Sequence, residues 1–212
     1  MLIVCLGAIM AVAGLSASRE GMVQDTELLR TLRAVRRFSA RPIPDEVLLD
    51  ILEVARWTGS AKNTQPWELV VIGDRGDLER LSFLGHYAGH LAGARLAIVL
   101  MMRAPGAAFD EGRLAQSVML AAWAHGVGSC IGSIYPEANE RRATELLGVP
   151  ADRAVRTAIS LGYPADSQAR RLSSAPPEVR AAVPLGRTPF EELVSWERYG
   201  RRERPTAPSG VG

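Results

Sequence analysis

Cysteine is scarce in this sequence of 212 residues, which contains only Cys5 and Cys130. One lies in an apolar N-terminal stretch and the other follows a glycine turn, so they do not form the disulfide framework of a small secreted protein. This favours a reducing compartment, and we expect a cytoplasmic protein. Lysine is scarcer still, because Lys62 is the one lysine among 25 basic residues.

Net charge is also low, at +2, since 23 acidic residues nearly balance the basic ones. Such a balance indicates neither nucleic acid nor a membrane surface as the partner. The apolar fraction of 47% and the charged fraction of 23% are typical of a soluble globular protein. A chain of this length suits one substantial core better than two domains.

Several catalytic motifs are missing. The sequence contains no Gly-x-Ser-x-Gly, Ser-x-x-Lys, His-Glu-x-x-His or Gly-x-x-x-x-Gly-Lys pattern, which excludes the usual hydrolase, metalloprotease and phosphotransferase sites. His86 and His90 have the i, i+4 spacing of zinc ligands on a helix, but adjacent glycines weaken that helix and no third ligand is evident. We therefore predict no metal site and no catalytic acid–base side chain.

The chain divides into three regions by composition. Residues 1–21 are largely apolar, but no positive charge precedes the apolar run and it is too short to span a bilayer. We interpret them as an extension, either a non-native start or a weakly ordered segment, with a signal peptide as the alternative. Residues 22–200 form one predicted domain, and residues 201–212 a disordered tail.

Hydrophobic periodicity predicts mixed helices and strands without a strict βαβ alternation, which indicates an α+β fold. The run over 94–102 predicts a central strand buried on both faces. The irregular arm 164–200 and the almost entirely apolar helix 111–125 need a surface to cover them, and a homodimer supplies one. The other expected elements are helices ending near Val35, beginning at Pro44, and covering 74–84, 136–147 and 189–196, with strands at 67–72, 129–134 and 156–163.

Two polar segments are candidates for a ligand site. Arg33, Arg36 and Arg37 are spaced so that the end of a helix would bring them together around a phosphate, although a solvated basic face has the same pattern. In the segment that precedes the first strand, one hydroxyl and two amides are suited to a pyrimidine-like edge or a ribityl chain, although an ordinary turn has similar residues. These three side chains are Ser60, Asn63 and Gln65.

A third candidate is the glycine-rich segment 126–133. Its glycines allow a flat ligand to approach the backbone, whose N–H groups would then reach a ring nitrogen, although helix termination alone explains Gly126. Cys130 has no neighbouring base or cation in the sequence, and a buried thiol is the favoured interpretation.

Taken in order, four blocks of this sequence resemble the FMN-dependent nitroreductase family, and they cover roughly residues 25–199. The blocks are Arg33–Ser39 with Arg41–Pro44, Ser60–Val71, Gly112–Gly132, and Leu161–Pro164 followed by Leu185–Pro189. The resemblance implies an α+β fold with a nitroreductase-like mixed sheet flanked by helices. It also implies an intertwined homodimer with an extended C-terminal arm and FMN at each subunit interface.

The resemblance further implies roles for particular residues. Arg33 and Arg36, with Arg37 beside them, would hold the FMN phosphate or the pyrimidine edge, and Arg187 would close on the phosphate from the C-terminal arm. Ser60 and Asn63, with Gln65, would face the flavin from the other subunit. The backbone of Gly132 and Ser133 would donate to the flavin ring.

The implied activity is that of an NAD(P)H oxidoreductase reducing nitro, quinone or similar small-molecule acceptors by a ping-pong mechanism. Two departures stand out: Leu32-Arg33-Ala34 replaces a common Arg-Arg-Ser, and Ser60-Ala61-Lys62-Asn63 replaces Ser-Gly-Gly-Asn. Lys62 would stabilise the reduced ring or simply be solvated. Alternatives are a specialised reaction on the same flavin, such as dehydrogenation, dehalogenation or flavin fragmentation, and a flavin-holding protein without turnover.

Overall fold

The computed structural model describes residues 26–103, 107–150, 152–166 and 188–205. The chain forms two compact units, Met1–Arg171 and Leu172–Gly212. The predicted extension 1–21 lies outside the described residues, as do Arg187, most of the expected C-terminal arm and residues 206–212 of the expected tail. The domain boundaries at 22 and 200 stay predictions.

The first unit contains helices on both sides of one sheet. Its described part begins with a helical segment at 26–31, here called α1. The strands are β1 (Trp67–Ile72), β2 (Leu96–Arg103), β3 (Gly128–Ser133) and β4 (Arg153–Gly162). The remaining helices are α2 (Asp45–Arg56), α3 (Arg75–Ser82), α4 (Ala108–Ala124) and α5 (Glu137–Leu146), with 3-10 turns at Ala61–Asn63 and Gly89–Gly93.

The sheet has four strands in the order β1-β2-β4-β3, and every pair is antiparallel. Among the described residues, the one parallel contact is an isolated bridge between Ala34 and Ser129. β2 is central and buried over Ala97–Met102, as its apolar run predicts. The α+β prediction is confirmed, and β1 and β3 form the two edges of the sheet.

Each face of the sheet has its own core, because strand side chains alternate between faces. On one face α2 and α4 cover Ile98, Leu100 and Ile159. On the other face α3, α5 and the turn Gly89–Gly93 cover Val99 and Val155. The two layers cover both faces of the sheet. A ligand that binds to its backbone would therefore have to approach along an edge strand.

The expected continuation of the first helix to Val35 is wrong. The helix ends at residue 31, and the next residues are extended. The N–H of Val35 donates to the Ser129 carbonyl at 2.8 Å, and Val35 is 4% exposed. Pairing with the sheet and burial of Val35 therefore override the helical periodicity that Val35 shares with Leu28 and Leu32.

The described part of the second unit is short. It contains a single turn of helix, α6 (Phe190–Leu193), inside the expected island at 189–196. The chain then folds back on itself, because the Trp196 N–H donates to the Arg201 carbonyl at 2.7 Å. Among the residues that the structure describes, no helix is long and apolar enough to cross a membrane.

Candidate functional site

The arginine-rich segment runs along the sheet at the start of β3 and the end of β4. Backbone hydrogen bonds fix it at Val35 and at Ser39, whose N–H donates to the Tyr163 carbonyl at 2.8 Å. The Arg41 guanidinium stacks 3.8 Å from the centre of the Tyr163 ring. Further anchors are the bridge between Phe38 and Pro164 and the bond from the Ala165 N–H to the Arg37 carbonyl at 3.0 Å.

The three arginines of this segment have different surroundings. Arg33 donates from Nη1 to the carbonyls of Arg30 and Leu32, both at 2.8 Å, so it caps the end of α1. The guanidinium of Arg36 is near enough to β3 for its charge to act on the Cys130 thiol and lower the pKa of that group. Arg36 and Arg37 are both exposed. Their expected arrangement on one helical end is wrong, because the helix ends at residue 31.

The outer edge of β3 presents backbone donors. In an antiparallel pair, the N–H and C=O of one residue point to the same side, and successive residues alternate. Because the Ser129 carbonyl faces Val35, the N–H groups of Ile131 and Ser133 also face away from β4. In the described part of the chain, nothing accepts a hydrogen bond from either group. The N–H of Gly132 faces β4, so the available donors belong to its two neighbours.

Gly132 is buried and packs closely against Ala88. A Cβ on Gly132 would meet the Cβ of Ala88 at 3.4 Å and the Ala158 carbonyl oxygen at 3.5 Å. The side chains of Ile131 and Ser133 on either side of it are exposed. Gly85 closes on the far end of this edge, because a Cβ on Gly85 would lie 1.9 Å from the Ser133 carbonyl oxygen. The exposed part of the edge therefore lies around Ile131, on the side where Arg36 approaches Cys130.

Behind this edge lies a buried polar cluster. The two ring nitrogens of His90 lie 2.8 Å from Ser160 Oγ and 3.3 Å from the Ile131 carbonyl oxygen. Burial lowers the pKa of His90; the hydrogen bond to the Ile131 carbonyl opposes that shift, and the charge of Arg36 adds to it. Burial also raises the pKa of the Cys130 thiol, which the nearby Arg36 only partly offsets. Cys130 is 3% exposed, as expected for an inert buried thiol.

The loop that precedes β1 has an unusual backbone. Lys62, Asn63 and Gln65 have φ angles of 52°, 54° and 44°, a left-handed conformation that non-glycine residues rarely adopt. Each such residue costs on the order of 1 kcal/mol unless its surroundings hold it. Three such residues among the four at positions 62–65 indicate that the surrounding contacts hold the loop in this conformation, as is common at functional sites.

Hydrogen bonds within the loop fix that shape and leave some polar groups available. Ser60 Oγ accepts from the Gln65 N–H at 2.8 Å, and Gln65 Nε2 donates to Asn63 Oδ1 at 3.1 Å. The Ser60 hydroxyl proton, the Asn63 amide nitrogen and the Gln65 amide oxygen have no partner among residues 26–103, 107–150, 152–166 and 188–205. The loop can therefore offer two donors and one acceptor to a ligand.

The structure brings some of the predicted residues together but not all of them. Arg36 and the Ile131–Ser133 strip share the β3 edge, whereas the 60–65 loop leads into β1, the opposite edge. Three strand spacings of roughly 4.8 Å each separate the two edges by about 14 Å. The loop also enters at Trp67, the end of β1 that pairs with Met102, while Arg36 lies at the other end of the sheet. The two halves of the predicted site occupy diagonal corners of one chain.

A cavity of about 620 Å³ lies beside the loop, between the end of α2 and the start of α4. Two of its lining side chains are large, apolar and exposed, with Trp57 at 74% and Phe109 at 78%. Thr58 also lines it, and its Oγ1 is buried without a partner among the described residues. Glu53 holds Trp57 in place by accepting from its Nε1 at 2.8 Å. Hydrogen bonds from Arg56 and then Trp57 lower the pKa of Glu53 to about 2.

Sequence reasoning missed two residues of this site. The sequence suggested His90 only as one of two possible zinc ligands without a third, and it did not suggest Ser160. They are 70 residues apart, and only the fold brings them within 2.8 Å of each other. The register between β3 and β4 places Ser160 opposite Cys130. The effect of Arg36 on Cys130 was missed because it too depends on the fold.

Comparison with known proteins gives consistent matches. The family model described as "Nitroreductase family" matches residues 29–97 and 101–163. An Archaeoglobus fulgidus protein with the provisional name NADH dehydrogenase/NAD(P)H nitroreductase is 32% identical over 155 residues, covering 69% of this chain and 89% of that protein. An NADH dehydrogenase of Thermus thermophilus is 27% identical over 205 residues, covering 77% of this chain and 91% of that protein.

A solved structure agrees with the sequence matches. The FMN-dependent nitroreductase of Clostridium difficile R20291 has a TM-score of 0.62 and 27% sequence identity to this chain. The match covers 66% of this chain and 87% of that one.

Proposed function

The chain belongs to the nitroreductase family, and we propose that it is an FMN-dependent NAD(P)H oxidoreductase that reduces nitro compounds, quinones or similar acceptors. One observation carries the proposal: the outer edge of β3 presents two backbone N–H donors beside an exposed arginine. A flavin requires these same features, a flat surface with donors for its ring and a cation for its phosphate.

The residues present fit FMN. The N–H groups of Ile131 and Ser133 are suited to the acceptor atoms of the ring. Arg36, with Arg33 and Arg37 near it, supplies positive charge for the phosphate. Arg187 is proposed as a further phosphate ligand, and it lies outside the described residues.

Bound FMN would supply the transfer of a hydride from NAD(P)H and the later release of electrons to the acceptor. The protein binds and orients the ring through the β3 edge. It excludes water from the back of that edge through the buried side chains of Cys130 and His90. Because donor and acceptor would occupy the same space in turn, the proposed kinetic order is ping-pong. No side chain is assigned as an acid or a base.

We assign the 60–65 loop to the flavin of a second subunit. Ser60, Asn63 and Gln65 lie at the corner of the sheet diagonal to Arg36, so one chain does not surround a single flavin with both sets. A two-fold dimer in which the loop of one chain lies near the β3 edge of the other would form two such sites, because such interfaces are reciprocal. The exposed Trp57 and Phe109 beside the loop are suited to burial in that interface.

The test is an absorbance spectrum of the purified protein with FMN, recorded before and after NADH or NADPH is added anaerobically. We expect bound flavin to bleach with at least one nucleotide and to recover its colour when a nitroaromatic or quinone follows. A protein that does not retain FMN contradicts the proposal. Flavin that stays yellow favours the alternative of a flavin-holding protein, and bleaching without reoxidation by these acceptors favours a specialised reaction.

Arg187→Ala should weaken FMN retention by about tenfold or more, because it removes a charge-assisted bond to the phosphate. The measurement is the fraction of flavin left after gel filtration, compared with wild type and with Arg142→Ala on α5. Full retention in Arg187→Ala would show that this arginine does not hold the phosphate.

A further inference from the structure

His90 is built into the back of the β3 edge. It lies in the 3-10 turn Gly89–Gly93, is 8% exposed, and reaches β4 through Ser160 Oγ at 2.8 Å and β3 through the Ile131 carbonyl at 3.3 Å. Ser160 is fully buried. Among the described residues, Arg36 from the segment after α1 is the charged group that acts on the ring. The Cys130 thiol of β3 lies 3.7 Å from the same Ile131 carbonyl oxygen.

The partners of the ring determine where its proton lies. The Ile131 oxygen is a carbonyl and only accepts, so Nε2 must carry the proton that fills this contact. Nδ1 of the neutral ring then accepts from the Ser160 hydroxyl. The Ser160 hydroxyl also lies 3.2 Å from the Cys130 carbonyl oxygen and donates to it when Nδ1 carries a proton. The Nε2–H stays on the Ile131 carbonyl in the neutral Nε2–H ring and in the charged ring, whereas a neutral Nδ1–H ring would not donate to it.

The hydrogen bond from His90 Nε2 to the Ile131 carbonyl acts on the part of β3 that would face the flavin. The carbonyl and the N–H of Ile131 point to the same side of the strand, away from β4. Val35 pairs with this side at Ser129, two residues earlier. The next groups that hold the edge are His90 Nε2, 3.3 Å from the Ile131 carbonyl oxygen, and the weaker thiol donor of Cys130 at 3.7 Å. Fixing the Ile131 carbonyl restricts the rotation of the backbone at Ile131, and the adjacent N–H keeps one direction.

We propose that His90, held by Ser160, is a positioning residue that aims the Ile131 N–H at the flavin ring by donating from Nε2 to the Ile131 carbonyl. The assignment rests on the proposed function, since it requires a flavin at this edge. His90 does not contact the reacting atoms and is not a catalytic residue. His90 affects the affinity for oxidised FMN and the orientation of its ring.

The experiment compares FMN dissociation constants, measured by quenching of flavin fluorescence, for wild type, His90→Leu and His90→Gln. Leucine removes the donor and should weaken binding about tenfold, the usual effect of losing one hydrogen bond of this kind. Glutamine keeps an N–H at the position of Nε2 and should restore binding to within about threefold of wild type. His125→Gln, which alters the pair of His125 with Asp50 at the end of α4, is the matched control and should bind as wild type does.

A second measurement does not depend on any variant folding. The ¹⁵N shifts of the His90 ring in the wild-type protein at pH 7 should identify the Nε2–H form, and the Nδ1–H form would overturn the assignment. Equal FMN binding by wild type and His90→Leu, or equal losses in the leucine and glutamine variants, would overturn it as well. In those cases wild type still binds FMN and the proposed function stands, whereas failure of wild type to bind FMN refutes both.

Discussion

Arg36 is the residue on which the proposed site depends most closely. The sequence presents Arg33, Arg36 and Arg37 as equivalent members of one cluster, and the structure separates them. Arg33 caps the end of α1, and the Arg37 carbonyl anchors Ala165. The charge of Arg36 acts on Cys130 of β3. Its charge lies where a phosphate or a ring edge would meet the strand.

Replacing Arg36 tests this distinction. Arg36→Ala should weaken FMN binding by at least about tenfold, because the ligand loses a charge-assisted hydrogen bond. Arg36→Lys should recover part of the affinity, since it restores the charge without the planar fork. Flavin fluorescence titration measures both, with Arg142→Ala as the control on α5. Equal affinity in wild type and Arg36→Ala would remove Arg36 from the site.

At the scale of elements, the contact between the segment after α1 and β3 decides the shape of the site. A Cβ on Gly128 would lie 2.7 Å from the Cβ of Val35, so only glycine permits this approach. The same closeness lets the Val35 N–H reach the Ser129 carbonyl. The extended segment, and with it Arg36, is therefore held in place by a glycine at the first residue of β3.

Gly128→Ala should lower the free energy of unfolding by about 1–3 kcal/mol, because the added methyl group overpacks against Val35. It should also weaken FMN binding by displacing Arg36. Gly93→Ala is the control: a Cβ there meets nothing within 4 Å, and a change under about 0.5 kcal/mol is expected. Thermal unfolding of both variants gives the comparison. Gly128→Ala with wild-type stability would contradict the close packing described for Val35.

Local sequence patterns predicted most elements but few of the contacts between them. β1 matches its predicted range, and β2 and α4 begin within three residues of expectation, because burial and capping act over short distances. The extended course of Val35 was not predictable, since its partner Ser129 is distant in sequence. The pair of His90 and Ser160 depends likewise on sheet register. The order of the polar segments in the sequence predicted which residues form the site. Only the fold shows that these residues lie at two diagonal corners of the sheet.

At the scale of the whole molecule, the central claim is that each flavin is held by two chains. The β3 edge of one chain would supply Arg36 and the backbone donors, and the partner would supply Ser60, Asn63 and Gln65. The diagonal placement of these two sets within one chain is the observation that favours the dimer. Residues from the two corners should therefore behave as parts of separate subunits.

Subunit complementation tests this claim most directly. Arg36→Ala and Asn63→Ala should each impair FMN binding, and a two-fold dimer containing one chain of each has one doubly altered site and one intact site. With random pairing, coexpression should return about a quarter of the sites to wild-type affinity. The control is coexpression of Arg36→Ala with His90→Leu. Both changes lie at the β3 corner, so every site contains one altered β3 edge and no site should regain wild-type affinity. Absence of recovery with Arg36→Ala and Asn63→Ala, in dimers shown to be mixed, would contradict a flavin site shared between two chains.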